Sequence, residues 1–164
     1  MKTIAAIVLL SCSCCAFGQD KAAVSRAEAA CGPRDVQFEV TADESQHPTP
    51  EPEKGKALIY MVQNPGISTR VGADGKWLGA LKNRTYLAAS IDPGEHHLCV
   101  IGRVGLWTLI SLHELKAEAG ETYYFAAPLL GATPNTGVFG LIQLDPDEGK
   151  YRVAKAKFAT SHPK

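Results

Sequence analysis

Apolar and polar residues alternate over short stretches of this chain, which is the pattern of half-buried β-strands. In RDVQFEVTA, Val36, Phe38 and Val40 share one face of such a strand. KALIYMVQ is apolar almost throughout, which predicts a central strand buried on both faces. TLISLHELKAEA alternates over a greater length and predicts a longer strand.

Turn motifs separate the other predicted strands. Asp74-Gly75 is a strong hairpin signal because both residues tolerate a positive φ, and DPGE turns the chain again before HHLCVIG. The remaining strands are TRVGA, KWLGAL, TYLAAS, HHLCVIG, TYYFAAPLL and VFGLIQL. Turns at intervals of about 8 to 12 residues are typical of sandwiches. The sequence therefore predicts a mainly β fold, a small antiparallel, immunoglobulin-like β-sandwich.

The C-terminal stretch DPDEGKYRVAKAKF predicts a short helix. Asp145 is a good N-cap, Pro146 suits the first helical position and Glu148 completes a capping box. Gly149 weakens this prediction, since glycine costs a helix about 1 kcal/mol relative to alanine.

The chain divides into four predicted segments. Residues 1–18 form a signal peptide, 19–55 an N-terminal segment with one strand and a proline-rich linker, 56–158 the β-sandwich domain and 159–164 a tail. The linker is assigned because prolines occupy alternate positions of SQHPTPEPEKG, where they remove hydrogen-bond donors and fix φ.

The first twenty residues have the features of an export leader. Lys2 precedes the apolar run 4–10, and the small residues of AFG place the cleavage before Gln19. An alternative route stays open, because LLSC resembles a lipoprotein box in which Cys12 would become a lipidated N-terminus. The prediction is export to the periplasm or cell envelope, with a lipid anchor at Cys12 in the second case. The mature chain is predicted to have no transmembrane helix.

Charge and composition exclude some classes of partner. The 164 residues are 45% hydrophobic and 21% charged, as in globular proteins. Lys plus Arg and Asp plus Glu number 17 each, and removal of Lys2 with the leader leaves a slight negative excess. The balance favours neither nucleic acid nor an anionic membrane surface.

Cysteine usage agrees with export. Cys12, Cys14 and Cys15 lie in the leader, so Cys31 and Cys99 remain and are predicted to form one disulfide. The alternatives are two unpaired buried thiols or, after lipidation at Cys12, a different pairing.

Three histidines are the candidate metal ligands. His96 and His97 are adjacent in a predicted strand and therefore point to opposite faces, which makes joint chelation difficult. A zinc site would need further ligands such as His113, and no HxH, HExxH or CxxC spacing outside the leader supplies them. The chain also has no G-x-S-x-G nucleophile motif. We therefore assign no catalytic residue, no metal and no cofactor.

Four aromatic residues are candidates for a ligand-binding platform: Trp77, Tyr86, Trp107 and Tyr124. The alternative is that these side chains fill the core and its rim.

The motifs VGADGKWLGALKNRTYLAASIDPGEHHLCV and LKAEAGETYYFAA resemble the PEGA-type layout of hairpin and turn signals. With KALIYMVQ before them, they also resemble the bacterial exported domain of unknown function 2846 family, over roughly residues 56–144. The resemblance implies a small β-sandwich at the bacterial envelope, often lipid-anchored, and implies no catalytic residues.

These observations predict an exported, non-catalytic β-sandwich that acts as a binding or structural module at the bacterial cell envelope. Its expected partner is an envelope protein or a glycan. The alternative is a hydrolase or metal-dependent enzyme that uses His96, His97 and their neighbours.

Overall fold

The computed structural model of the chain describes residues 21, 22, 25, 29, 31–64, 66–130 and 138–164. The predicted signal peptide, Cys12 and residues 131–137 lie outside these residues. The strands are β1 (Phe38–Asp43), β2 (Ala57–Gln63), β3 (Thr69–Ala73), β4 (Lys76–Leu81), β5 (Thr85–Ile91), β6 (Gly94–Val104), β7 (Trp107–Ala117), β8 (Thr122–Ala127), β9 (Leu129–Leu130), β10 (Val138–Phe139), β11 (Ile142–Leu144) and β12 (Lys157–Pro163). Helix α1 (Pro146–Lys155) lies between β11 and β12.

Two sheets pack face to face. The larger has the strand order β1-β12-β5-β2-β8-β11, and the smaller has the order β4-β3-β6-β7. Strands β9 and β10 pair with each other in a separate short ladder. The structure confirms the predicted mainly β sandwich with a short C-terminal helix.

Strand direction differs from the prediction in two places. Strands β2 and β8 are parallel, and so are β5 and β12, whereas an antiparallel sandwich was predicted. Parallel neighbours require a long crossover connection. Strands β3 to β7 supply it for the first pair, and strands β6 to β11 with helix α1 supply it for the second.

The central strand β2 is buried on both faces, as its apolar run predicts. Alternate residues of β2, namely Ala57, Ile59 and Met61, face the smaller sheet. They belong to the main core, which also contains Val71, Leu98, Val100 and Phe125. The other β2 residues, Leu58, Tyr60 and Val62, face helix α1. They belong to a second cluster, which also contains Tyr86, Tyr124 and Val153. The larger sheet therefore lies between the smaller sheet and the helix.

Helix α1 begins where its capping residues predict. The Asp145 side chain accepts hydrogen bonds from the backbone N–H groups of Asp147 and Glu148 at 3.1 and 3.0 Å. The Glu148 carboxylate accepts from Arg152 Nε at 2.6 Å, and among the described residues it makes no return bond to the Asp145 N–H. The predicted capping box is therefore only half formed.

The C-terminal residues form a strand that the sequence analysis missed. Helix α1 ends at Lys155, and Lys157–Pro163 then forms β12 between β1 and β5. The sequence VFGLIQL, predicted to be one strand, is divided, since Val138–Phe139 pairs with β9 and Ile142–Leu144 pairs with β8. Local propensity misled the first prediction, because alanine and lysine favour a helix and only pairing with β1 and β5 makes β12 a strand. The second prediction was wrong because the two halves of VFGLIQL pair with different strands, which the alternation within the stretch does not reveal.

Candidate functional site

A disulfide fastens the N-terminal segment to the outer face of the smaller sheet. Cys31 and Cys99 are bonded, with Cα atoms 5.0 Å apart, and both are fully buried. Cys99 pairs in register with Gly72 on β3, and a side chain at Gly72 would overlap the Cys31 carbonyl oxygen. The absence of a Cβ at position 72 therefore lets this segment lie directly on the sheet.

Two side chains hold the next residues of this segment, 32–37, in place. Arg70 donates from Nη1 to the carbonyl oxygens of Arg34 and Val36, at 3.0 and 2.6 Å. Trp77 donates from Nε1 to the Pro33 carbonyl at 2.8 Å. The Arg70 guanidinium lies 4.8 Å from the centre of the Trp77 ring, within range of a cation–π interaction.

A groove of about 440 Å³ runs between this segment and the smaller sheet, and we call it the segment groove. Its apolar lining comes from both sides, and its basic lining comes from the sheet. The apolar lining residues include Val36, Phe38, Val40 and Ile101, and the basic ones are Arg70, Lys82 and Arg103. The volume is within the range of about 300–1,000 Å³ that is usual for small-molecule sites.

The three basic residues of the segment groove form no ion pair with a carboxylate in the part of the chain that the structure describes. Lys82 donates from Nζ to the Val40 carbonyl at 2.8 Å, and Arg103 donates from Nε to the Gly105 carbonyl at 3.2 Å. Burial lowers the pKa of Arg70. The groove is therefore a site of positive potential with apolar walls.

A second groove of about 300 Å³ lies between the proline linker and helix α1. The linker is held over the larger sheet by Tyr60, whose hydroxyl donates to the Pro50 carbonyl at 2.9 Å, and by His47 Nε2, which is 3.0 Å from the Val153 carbonyl oxygen. Burial raises the pKa of Tyr60 to about 12. The lining of this second groove includes Glu51 and Lys150, whose charges have opposite signs.

His96 is bound on both sides of its ring. Nδ1 is 2.6 Å from Asp74 Oδ2, and Nε2 is 2.7 Å from the Asp92 carbonyl oxygen. Both partners are acceptors, so the arrangement favours the imidazolium form, in which both ring nitrogens donate. Burial alone would lower the pKa of His96, but the hydrogen bonds and charges of Asp74 and Asp92 outweigh it, and the pKa is raised. In the imidazolium form, neither nitrogen has a free lone pair for a metal or for proton abstraction.

The other two candidate histidines do not join His96. His97 is exposed on the opposite face of β6, as strand alternation requires. His113 lies on β7 with its ring centre 5.0 Å from that of Phe125. Within the described ranges there is no group of three or more His, Cys, Asp or Glu side chains that could hold a metal ion.

The four candidate aromatic residues do not form one platform. Tyr86 is fully buried and donates its hydroxyl to the Pro48 carbonyl at 2.8 Å. Tyr124 is stacked on Tyr60 with ring centres 5.2 Å apart, and it lines the second groove. Trp77 lies on the other sheet, under the N-terminal segment. The side chain of Trp107 is outside the described part of the structure.

The sequence analysis missed the basic residues of the segment groove. Arg70 is on β3, Lys82 directly follows β4 and Arg103 is near the end of β6. Each is a single basic residue in an otherwise ordinary strand or turn, so no local charge run points to them. Only the alignment of three strands in one sheet brings them together.

We found no match of the chain to a protein-family model, to a curated protein or to a solved structure. The resemblance to the exported domain of unknown function 2846 family and to the PEGA layout therefore stays a prediction. In the described residues, no helix has the length and apolar character needed to cross a membrane.

Proposed function

We propose that this chain is an exported, non-catalytic β-sandwich that acts as a binding module at the bacterial cell envelope. The observation that carries the proposal is the segment groove, which has a disulfide-fixed wall, an apolar lining and three basic side chains. A disulfide is expected in an exported protein and limits how far the groove wall can move. Such a fixed concave site reduces the entropic cost of holding a ligand.

The polar contacts of His96 support a structural role for HHLCV. Its ring and the Asp74 carboxylate link the β3–β4 turn to the beginning of β6. The imidazolium form of His96 is suited to holding this turn, and it is unsuited to the metal-dependent or general-base chemistry of the alternative enzyme hypothesis.

Export and binding can be tested in one experiment on the full chain. The wild type is expressed with its leader in a Gram-negative bacterium, recovered from the envelope, and measured by mass spectrometry together with its small-molecule extract. Thr108→Trp places a large side chain on an exposed residue that lines the segment groove. Thr41→Trp is the matched control, since Thr41 is exposed on β1 but does not line the groove.

The expected result is a mature chain that begins at Gln19 and a co-purified compound that Thr108→Trp loses and Thr41→Trp retains. A chain that begins at an acylated Cys12 would support export with a lipid anchor. A chain with an intact leader in the cytoplasm, or extracts that do not differ among the three proteins, would contradict the proposal.

A further inference from the structure

The lining of the segment groove suggests a class of ligand, and this inference rests on the function proposed above. We propose that the segment groove binds an amphiphile with a single anionic head group, a carboxylate or a phosphate monoester, and a short alkyl chain. The shared chemistry of the two head groups is a compact anion with several acceptor oxygens, which guanidinium and ammonium groups recognise.

Unused donors at the basic side chains are the first argument. Arg70 uses Nη1 for two carbonyl oxygens, so Nε and Nη2 have no partner among the described residues. Within the described residues, Lys82 and Arg103 each donate one hydrogen bond to a backbone carbonyl, and each keeps further N–H donors. All three side chains line the same groove, where an anion would accept from their unused donors.

The burial of Arg70 is the second argument. Its guanidinium is half-buried, and its partners are neutral carbonyl groups and the Trp77 ring, so its charge is not balanced by a carboxylate in the described residues. A buried charge without a counter-ion is unfavourable, and an anionic ligand would supply one. The lowered pKa of Arg70 has the same physical origin.

The distribution of carboxylates is the third argument. Asp35 and Glu39 belong to the segment and the strand that form one wall, yet neither lines the groove. Glu39 lies between Phe38 and Val40 on β1, and strand alternation directs it to the opposite face. The fold therefore leaves a groove with basic and apolar residues and without acidic ones.

The apolar wall is what distinguishes an amphiphile from a free anion. Val36, Phe38 and Val40 are half-buried side chains of the segment and β1, and Ile101 is 8% exposed on the sheet. A hydrated anion would leave this apolar surface in contact with water, whereas an alkyl chain would cover it. The groove volume of about 440 Å³ suits one small ligand.

Isothermal titration calorimetry on the oxidised, exported protein tests the inference with four probes: decanoate, decyl phosphate, decanol and inorganic phosphate. Decanoate and decyl phosphate should bind with one site per chain. Decanol lacks the charge and inorganic phosphate lacks the chain, so each should bind at least about tenfold more weakly. Binding of decanoate should weaken as salt is added.

Variants that remove one positive charge test whether the basic side chains of the segment groove bind the anionic head group. Arg103→Gln and Lys82→Gln should each weaken decanoate binding about tenfold, the loss expected for one charge-assisted hydrogen bond. Lys116→Gln is the matched control, because Lys116 is exposed on β7 outside the groove and its loss should leave the affinity unchanged. Thr108→Trp should weaken the binding of both decanoate and decyl phosphate.

Equal affinity for decanoate and decanol, together with an unchanged affinity in Arg103→Gln, would overturn the inference and leave the binding function standing. Absence of binding for all four probes would also overturn it. The co-purification experiment then judges the binding function separately, because it does not depend on the choice of probe.

Discussion

At the scale of single residues, Asp74 and His96 form a hydrogen-bonded pair where two adjacent histidines suggest a metal or catalytic site. Asp74 has a φ of 49° in the β3–β4 turn, and its Oδ1 accepts from the His97 backbone N–H at 2.8 Å. Burial would raise the pKa of Asp74, but the hydrogen bonds from His97 and His96 outweigh it and lower the pKa. The pair therefore holds a hairpin turn against the neighbouring strand.

The opposite pKa shifts define a pH window for this pair. Because the pKa of His96 is raised on folding, its contribution to the free energy of unfolding is complete below its pKa in the unfolded chain, about 6.5. This contribution is lost as pH rises through the pKa in the folded protein. Because the pKa of Asp74 is lowered on folding, its contribution to the free energy of unfolding is complete above its pKa in the unfolded chain, about 3.9. This contribution is lost as pH falls through the pKa in the folded protein. The pair should therefore stabilise the fold most at about pH 4 to 6.5.

The variant His96→Gln should accordingly lower the free energy of unfolding more at pH 5.5 than at pH 9. The loss at pH 5.5 should be about 1 kcal/mol or less, because the Asp74 side chain is 45% exposed to solvent. Urea unfolding at the two pH values measures it. His97→Gln is the control, as that ring makes no hydrogen bond with the described residues; an equal loss at both pH values in His96→Gln would contradict the assignment.

At the scale of elements, helix α1 depends on a residue that its own propensity disfavours. Gly149 is buried in the first half of the helix, and a Cβ there would overlap Cβ and Cγ of Tyr124 on β8. The close approach brings Val153 into the cluster with Tyr60 and Tyr86. Glycine therefore weakens the isolated helix and permits its packing on the sheet.

Gly149→Ala should lower the free energy of unfolding by about 1–3 kcal/mol, the range for overpacking a core, although alanine is the better helix former. Ala154→Gly is the matched comparison, because Ala154 is exposed on the same helix and its replacement reports mainly helix propensity, with an expected loss of about 1 kcal/mol or less. Thermal unfolding followed by circular dichroism compares the two. An increase in melting temperature for Gly149→Ala would show that the helix can move away from Tyr124.

At the scale of the whole molecule, the Cys31–Cys99 disulfide connects the N-terminal segment to the centre of the smaller sheet across 68 positions. The same segment continues into β1, which pairs with β12 at the edge of the other sheet. The bridge therefore links both sheets through residues 31–43 and fixes one wall of the segment groove.

Cys31→Ala and Cys99→Ala should each lower the free energy of unfolding by about 4 kcal/mol, the chain-entropy value for a loop of this length. For a domain that is stable by about 5–15 kcal/mol, the melting temperature should fall by about 10 °C or more. The double variant should lose about as much as either single variant, because each single change already removes the bridge. A double variant with twice the loss would mean that the two side chains stabilise the fold independently.

Several features of the fold could be predicted from the sequence because they depend on neighbouring residues. Asp74-Gly75 forms its turn with positive φ at both positions, and Asp145 caps its helix, since turns and caps are local interactions. The Cys31–Cys99 pairing could be predicted for another reason, because removal of the predicted leader would leave two cysteines, which offer one pairing. The four aromatic candidates were less informative, since composition cannot say whether an aromatic side chain is in the core.

Local sequence patterns predict where most strands begin and end, because alternation and turn residues act within a few positions. They do not predict which strands are neighbours, that Lys157–Pro163 is a strand between β1 and β5, or that β2 and β8 are parallel; long-range packing sets these features. It also decided that Arg70, Lys82 and Arg103 line one groove. These features depend on contacts between residues far apart in the chain, whose energy comes from burial and pairing, and no local pattern encodes them.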